Sequence, residues 1–244
     1  MLGLPDAITA CLFDMDGVIT QTAKVHDAAW KEMFDEFLRS WSAEHNQPFV
    51  PFDPVNDYDE YVDGKPRLEG TSSFLESRGI TLPEGTEADT PGTQTVWGLS
   101  NKKNDLVTQV IERDGVQPYE GSVRYVNAVR AAGLKTAIVS SSANTVAVLK
   151  AAGVADLFEV RVDHQVAESR HLHGKPAPDT FLEAAKMLGV PAANATVFED
   201  ALAGVAAGRA GNFGFVVGVD RVGQADQLRA HGADAVVKDL AELL

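Results

Sequence analysis

The sequence predicts an α/β fold: a doubly wound parallel sheet whose chain is interrupted by an inserted helical block. Three observations predict it. From Tyr119 onward, short apolar strand segments alternate with helical ones, the pattern of a parallel sheet covered by helices. The strand segments are continuous apolar runs rather than polar–apolar alternations, as expected of strands buried on both faces. Between the first such run and Tyr119 the periodicity is helical, so this block stands apart from the sheet.

In chain order, the first strand runs from Ala7-Ile8 to Phe13 and stops at Asp14-Met15-Asp16-Gly17. Trp30, Met33, Phe34, Phe37, Leu38 and Trp41 then recur at helical spacing and mark one face of an amphipathic helix. A Pro- and Asp-rich segment follows at Pro48 to Pro54, with shorter helices expected near Ser72 to Ser77 and Asn104 to Arg113. The remainder reads as a helix near Val123 to Ala131, the strand Thr136–Val139, a helix from Asn144 to Ala151, and a helix from Pro178 to Leu188. The strand Ala195–Phe198, a helix from Ala201 to Ala210, and the strands Phe213 to Val219 and Ala233 to Val237 complete it. The sequence thus predicts a core of residues 1–20 and 114–244, with a helical cap of residues 21–113 over the strand ends and two linkers able to act as a hinge.

Chemistry-bearing residues stand just after the strands, where open α/β sheets bind ligands. Gly17 lets the chain turn sharply, leaving Asp14 and Asp16 facing the crevice; two carboxylates this close need a divalent cation or a shared proton. Ser140-Ser141-Ser142, with Asn144 as N-cap, offers hydroxyls and backbone N–H groups to a phosphate. In Gly174-Lys175-Pro176-Ala177-Pro178-Asp179 a lysine sits beside a helix start, with Pro178 suited to the first helical position. Glu199-Asp200 is a second carboxylate pair at a strand end, before a Gly- and Ala-rich helix. Singly, each piece also reads as a cap, a surface lysine or a charged loop. Four in this order, each after a strand, point to one site.

The four segments resemble, in order, the motifs of the haloacid-dehalogenase superfamily of phosphoryl-transfer enzymes, and the resemblance spans nearly the whole chain. It implies a HAD-like Rossmannoid core in which Asp14 is the nucleophile that becomes an aspartyl phosphate and Asp16 the general acid/base. It implies that Ser140 and Lys175 hold the transferring phosphoryl group. Mg²⁺ would be held by the Asp14, Glu199 and Asp200 carboxylates and the Asp16 backbone carbonyl. The chemistry asks for the same groups: a carboxylate can attack phosphorus, but an anion attacking an anion needs neutralising charge, which Mg²⁺ and a lysine supply. Asp16 can give a proton to a leaving oxygen and later withdraw one. Its presence argues against the metal-free dehalogenase branch.

The run Phe13 to Thr20, with Gly17, Thr22, His26 and Trp30, closely resembles the bacterial β-phosphoglucomutase family, in which the Thr, His and Trp positions line the cap–core interface. His26 precedes Trp30 by one helical turn, so the two share a face. Arg67, in Gly64-Lys65-Pro66-Arg67, matches the family's cap arginine for the phosphate not being transferred, a dianion suited to a bidentate fork. Lys103 matches its cap lysine, and Ser142 and Asn144 add contacts to the second phosphate or the sugar. The segment from Ser42 to Asp63 is longer than in compact members, and Gly70 replaces a serine ligand. This resembles a longer-cap subgroup found beside disaccharide phosphorylases. The resemblance implies interconversion of β-D-glucose 1-phosphate and glucose 6-phosphate through β-D-glucose 1,6-bisphosphate as intermediate and activator. The rival reading is a sugar-phosphate phosphatase with the same core, in which water attacks the aspartyl phosphate. A non-catalytic scaffold would be expected to have lost at least one motif.

Composition sets limits. The net charge of -14 over 244 residues argues against nucleic acid and anionic membranes as partners, so sugar phosphates must meet a local positive island. The single cysteine, Cys11, permits no intrachain disulfide and suits a reducing cytoplasm; within a strand it reads as a small buried hydrophobe. Asp6 stands where a signal peptide would need its apolar stretch, and no run approaches membrane-spanning length. A cytoplasmic monomer is expected, with a pathway link to a disaccharide phosphorylase. His171-Leu172-His173 reads as loop rather than as a metal site, because no further ligands lie nearby.

Overall fold

A computed structural model describes residues 2–244. The chain divides into two compact units, residues up to Thr22 with Val116–Leu244, and Ala23–Gly115. Thr22 therefore belongs to the first unit.

The first unit is built on a six-stranded parallel sheet in the order β3-β2-β1-β4-β5-β6. The strands are β1 (Ala10–Phe13), β2 (Lys135–Val139), β3 (Val160–Val162), β4 (Ala195–Glu199), β5 (Phe215–Val219) and β6 (Ala235–Val237). The chain builds outward from β1 to β2 and β3, then returns to the other side of β1 for β4, so the strand order reverses there. Ligand crevices of such sheets lie at that reversal. Register places the chemistry: Phe13 pairs with both Ile138 and Phe198, and the Asp14 N–H donates to the Phe198 carbonyl at 2.9 Å. Asp14 and Glu199 thereby emerge side by side.

One face of the sheet packs Ala137, Val139, Val197 and Val216 against Phe181, Ala184, Val205 and Leu228. On the other, Phe13 stacks on Phe198 at 4.5 Å, and Tyr125 meets both rings edge-on. Such pairs add about 0.5–1.5 kcal/mol each beyond their burial. Cys11 is fully buried in β1, and burial pushes its thiol far up, out of the reactive range; it behaves as a hydrophobe.

The second unit is helical: α1 (Ala23–Glu44), a π-helical turn (Tyr58–Val62), α2 (Arg67–Ser77) and α3 (Val96–Asp114). Trp30, Met33, Phe34, Phe37 and Leu38 face its core, where Phe34 contacts Phe52 and Phe74. Trp41 is only half-buried and stacks on His45. The helices of the first unit are α4 (Glu120–Ala131), α5 (Thr145–Ala151), α6 (His164–Ser169), α7 (Asp179–Leu188), α8 (Leu202–Ala210) and α9 (Ala225–His231).

Several expectations need correction. The first strand begins at Ala10 rather than Ala7, and the last two at Phe215 and Ala235. Helix α2 starts five residues earlier than the pattern indicated and α3 eight; each contains a glycine, Gly70 and Gly98, which weakens the local helical signal. Strand β3 was not legible, being three residues at the sheet edge with Arg161 in its middle. Pro178 occupies the N-cap position and Asp179 the first helical one. Asn144 sits at the N-cap of α5 but makes no capping bond with its side chain; the Ser142 hydroxyl instead accepts from the Asn144 N–H. His171 and His173 lie in an exposed turn. No helix among the described residues is long and apolar enough to cross a membrane.

Candidate active site

In the first unit, the Lys175 ammonium lies 2.5 Å from Asp14 Oδ1 and also bonds Glu199 Oε1. All three residues are buried. Strand register sets the two carboxylates side by side, and the loop before α7, where the Lys175–Pro176 peptide is cis, brings the ammonium between them. Burial drives the Asp14 carboxyl well above its ordinary range; Lys175 pulls it down, while Glu199 and Asp16 push with burial, and the net direction is up. Burial pulls Lys175 down, but the two carboxylates outweigh it and hold the ammonium above its usual value.

One oxygen each from Asp14, Glu199 and Asp200 lie within 4.8 Å of one another. The Lys175 ammonium bonds two of the three carboxylates. The three form an all-oxygen donor set that fits a hard divalent cation such as Mg²⁺. Glu199 has a second task, since its Oε2 accepts the Ala201 N–H at 2.9 Å and so orders the turn into α8.

Two glycines make room. Gly17, at φ +84°, has a backbone that L side chains rarely adopt, and a Cβ there would lie 1.6 Å from Asp200 Oδ2. Its N–H donates to the Thr20 carbonyl at 2.8 Å, so what it supplies is space. A Cβ on Gly204 would meet Glu199 Oε1 at 1.8 Å, which is why the start of α8 tolerates a residue otherwise costly in helices.

Asp16 Oδ1 accepts a hydrogen bond from the Thr22 hydroxyl, and Thr22 Oγ1 lies 2.8 Å from Thr20 Oγ1. The segment is held by pairing with 116–119: Gln21 N–H to the Gln117 carbonyl and Tyr119 N–H to the Ile19 carbonyl. After β2, Ser140 is buried and its hydroxyl accepts from the Ser142 N–H at 3.1 Å, while its own N–H donates to the Val162 carbonyl at 3.0 Å.

In the second unit, Lys103 Nζ lies 2.8 Å from His26 Nδ1 and 4.7 Å from the centre of the Trp30 ring. Lys103 and Trp30 are buried, and the electron-rich ring face attracts the ammonium. Gly70 packs on the edge of Trp30, where a Cβ would sit at 3.4 Å. The Arg67 guanidinium lies 5.9 Å from the Trp97 ring. The predicted residues thus fall into two groups, Asp14, Asp16, Gly17, Thr22, Ser140, Ser142, Asn144, Lys175, Glu199 and Asp200 in one unit, and His26, Trp30, Arg67 and Lys103 in the other.

Sequence reasoning missed Arg221 and Gln224. Arg221 donates to the Gly17 carbonyl at 2.7 Å, and Gln224 to the Asp200 carbonyl at 3.1 Å. Their position directly after a predicted strand was the available signal, since the loops after the other strands near β1 hold predicted site residues.

The haloacid dehalogenase-like hydrolase family model matches residues 8–212. Over 247 aligned residues the chain is 55% identical to the beta-phosphoglucomutase of Mycobacterium tuberculosis, covering 100% of this chain and 94% of that protein. It is 34% identical to a segment of an uncharacterized glycosyl hydrolase of the same organism, covering 95% of this chain but 17% of that protein. The solved structure of beta-phosphoglucomutase from Clostridium difficile superposes with a TM-score of 0.74 at 27% identity, over 97% of this chain and 93% of the other. The chain therefore belongs to the haloacid dehalogenase-like hydrolase family and, within it, to the β-phosphoglucomutase family.

Proposed function

We propose that this protein is a phosphomutase that interconverts β-D-glucose 1-phosphate and glucose 6-phosphate. The observation that carries it is the 55% identity, end to end, to proteins named beta-phosphoglucomutase. The buried Asp14–Lys175–Glu199 cluster supplies chemistry that fits.

Asp14, carrying a phosphoryl group, transfers it to the C6 hydroxyl of β-glucose 1-phosphate, while Asp16 takes the hydroxyl proton. The product is β-glucose 1,6-bisphosphate. It turns over and gives its C1 phosphoryl to Asp14, with Asp16 returning the proton to the departing sugar oxygen, which leaves glucose 6-phosphate. Lys175 neutralises the transferring phosphoryl group, and the Ser140 to Asn144 turn binds phosphate and sugar. Asp14, Glu199 and Asp200, with the Asp16 backbone carbonyl, would hold Mg²⁺, which when bound disperses charge on the phosphoryl oxygens. Arg67 takes the phosphate that is not being transferred, and Gly17, Thr22, His26, Trp30 and Lys103 complete the substrate-binding set.

The substrate is supplied by an inverting disaccharide phosphorylase, and the enzyme works in the cytoplasm as a monomer. The relative whose matched segment is 17% of a protein named a glycosyl hydrolase supports the link to carbohydrate cleavage. The test is an assay of pure protein with β-glucose 1-phosphate, Mg²⁺ and catalytic bisphosphate, measuring glucose 6-phosphate and free phosphate together. Glucose 6-phosphate as the main product is expected; mainly free phosphate would identify a phosphatase instead.

A further inference from the structure

The loop Asp220–Gln224, which follows β5, reaches both acidic loops of the candidate site. Asp220 Oδ1 accepts the N–H groups of Gly223 and Gln224 at 2.7 and 2.8 Å, which closes the loop into a tight turn. From it Arg221 extends with its side chain 14% exposed. Its Nε donates to the Gly17 carbonyl at 2.7 Å and its Nη2 approaches the Val18 carbonyl at 3.4 Å. Its Nη1 donates to the Lys238 carbonyl at 2.8 Å. The guanidinium carbon lies over Tyr119, 3.6 Å from the ring centre, with Asp239 Oδ2 3.6 Å from Nη1. A planar fork placed over a ring and bonded along its edge has little freedom left. The Val18 carbonyl also accepts the Ser122 hydroxyl at 2.6 Å.

Gln224 does the same for the other loop. It is buried, its Nε2 donates to the Asp200 carbonyl at 3.1 Å, and its Oε1 has no hydrogen-bond partner. The unpaired buried amide oxygen costs stability, so Gln224 is not explained by stability alone. The two braced loops also touch each other, because Asp200 Oδ2 occupies the space a Gly17 side chain would need.

We infer that Arg221 and Gln224 are positioning residues, which hold the Asp16–Val18 turn and the Asp200 loop in the mutual geometry that metal binding and proton transfer require. This rests on the roles given above to Asp14, Asp16 and Asp200. Arg221 has no reason in packing alone to be an arginine: a hydrophobe could cover Tyr119, but only a multi-donor fork reaches three backbone carbonyls at once.

The test compares Arg221→Met, Arg221→Lys and Gln224→Met with the wild type by kcat and KM, by calorimetric titration of the substrate-free protein with Mg²⁺, and by amide exchange of the 14–20 segment. Arg221→Met should lower kcat by about 10- to 100-fold and weaken Mg²⁺ binding by a similar factor, as loss of an outer support does, with KM changed far less. Exchange in 14–20 should rise. Arg221→Lys should recover only part of kcat, because one ammonium cannot serve all three carbonyls. Gln224→Met should weaken Mg²⁺ binding and leave exchange in 14–20 near wild type; it decides the matter if Arg221→Met does not fold. A variant that only lowers the unfolding temperature, with kcat and Mg²⁺ affinity unchanged well below it, would overturn the inference. Failure of the underlying site assignment looks different, because Asp200→Ala would then leave Mg²⁺ binding untouched.

Discussion

The two units hold the cations of the predicted site by different means. In the sheet unit, Lys175 is pinned by Asp14 and Glu199, charge against charge in a buried place. In the helical unit Lys103 lies over Trp30 and beside His26 Nδ1, and Arg67 lies near Trp97. A buried ion pair is costly to break, about 3–5 kcal/mol when one partner is removed, so the first arrangement holds its atoms firmly. A cation on a ring is held by roughly 0.5–2 kcal/mol, a weaker hold for each contact.

The largest effect that would break this comparison concerns the nucleophile. Asp14→Asn should reduce mutase turnover to background, on the order of 10⁴-fold or more, because an amide neither attacks phosphorus nor offers an anionic ligand. Substantial remaining activity in a coupled glucose 6-phosphate assay would refute the covalent route. Next, Asp16→Asn should lower kcat by about 10²–10⁴-fold while calorimetry finds Mg²⁺ affinity preserved, since the carbonyl proposed as the metal contact remains. Parallel loss of both would place the side chain, not the backbone, on the metal.

Arg67→Ala probes the helical unit. Losing a charge-assisted bidentate contact should cost about 2–4 kcal/mol, or roughly 30- to 1,000-fold in mutase turnover. Hydrolysis of a small artificial phosphate ester, which has no second phosphate, should suffer much less. Equal losses in both assays would reduce Arg67 to a structural role. Asp200→Ala should raise the Mg²⁺ concentration needed for half-maximal activity by at least about tenfold, with a native circular dichroism spectrum. An unaltered requirement would remove Asp200 from the metal site.

The smallest effect separates stability from chemistry. The Thr95 hydroxyl caps α3 by accepting the Gly98 N–H at 2.9 Å. Thr95→Ala should lower the stability of the helical unit by about 0.5–2 kcal/mol, read from urea unfolding followed by tryptophan fluorescence, and leave kcat near wild type. A large fall in kcat would mean that α3 order and catalysis are coupled.

Most of the sheet unit was legible because its signals are local. An apolar run followed within two residues by Asp14, Ser140 or Glu199 announces both a buried parallel strand and its reactive end, and neither depends on what lies far away. Edge pieces escaped for the same reason: Val160–Val162 is too short and too polar to carry a pattern, yet pairing with β2 makes it a strand. In the helical unit the face of α1 was plain from its spacing, but Arg67 and Lys103 could be singled out only through family resemblance, since a lone cation on a helix has no signature of its own.

By itself, then, the sequence determined the order of the strands' reactive ends and the kinds of groups they carry, because strand period, glycine turns and apolar runs act over a few residues. Only the tertiary structure decided which of those groups meet. Lys175 finds Asp14 across 161 positions and Arg221 finds Gly17 across 204, because parallel register and the order β2-β1-β4-β5 bring together chain segments whose contact no local pattern encodes.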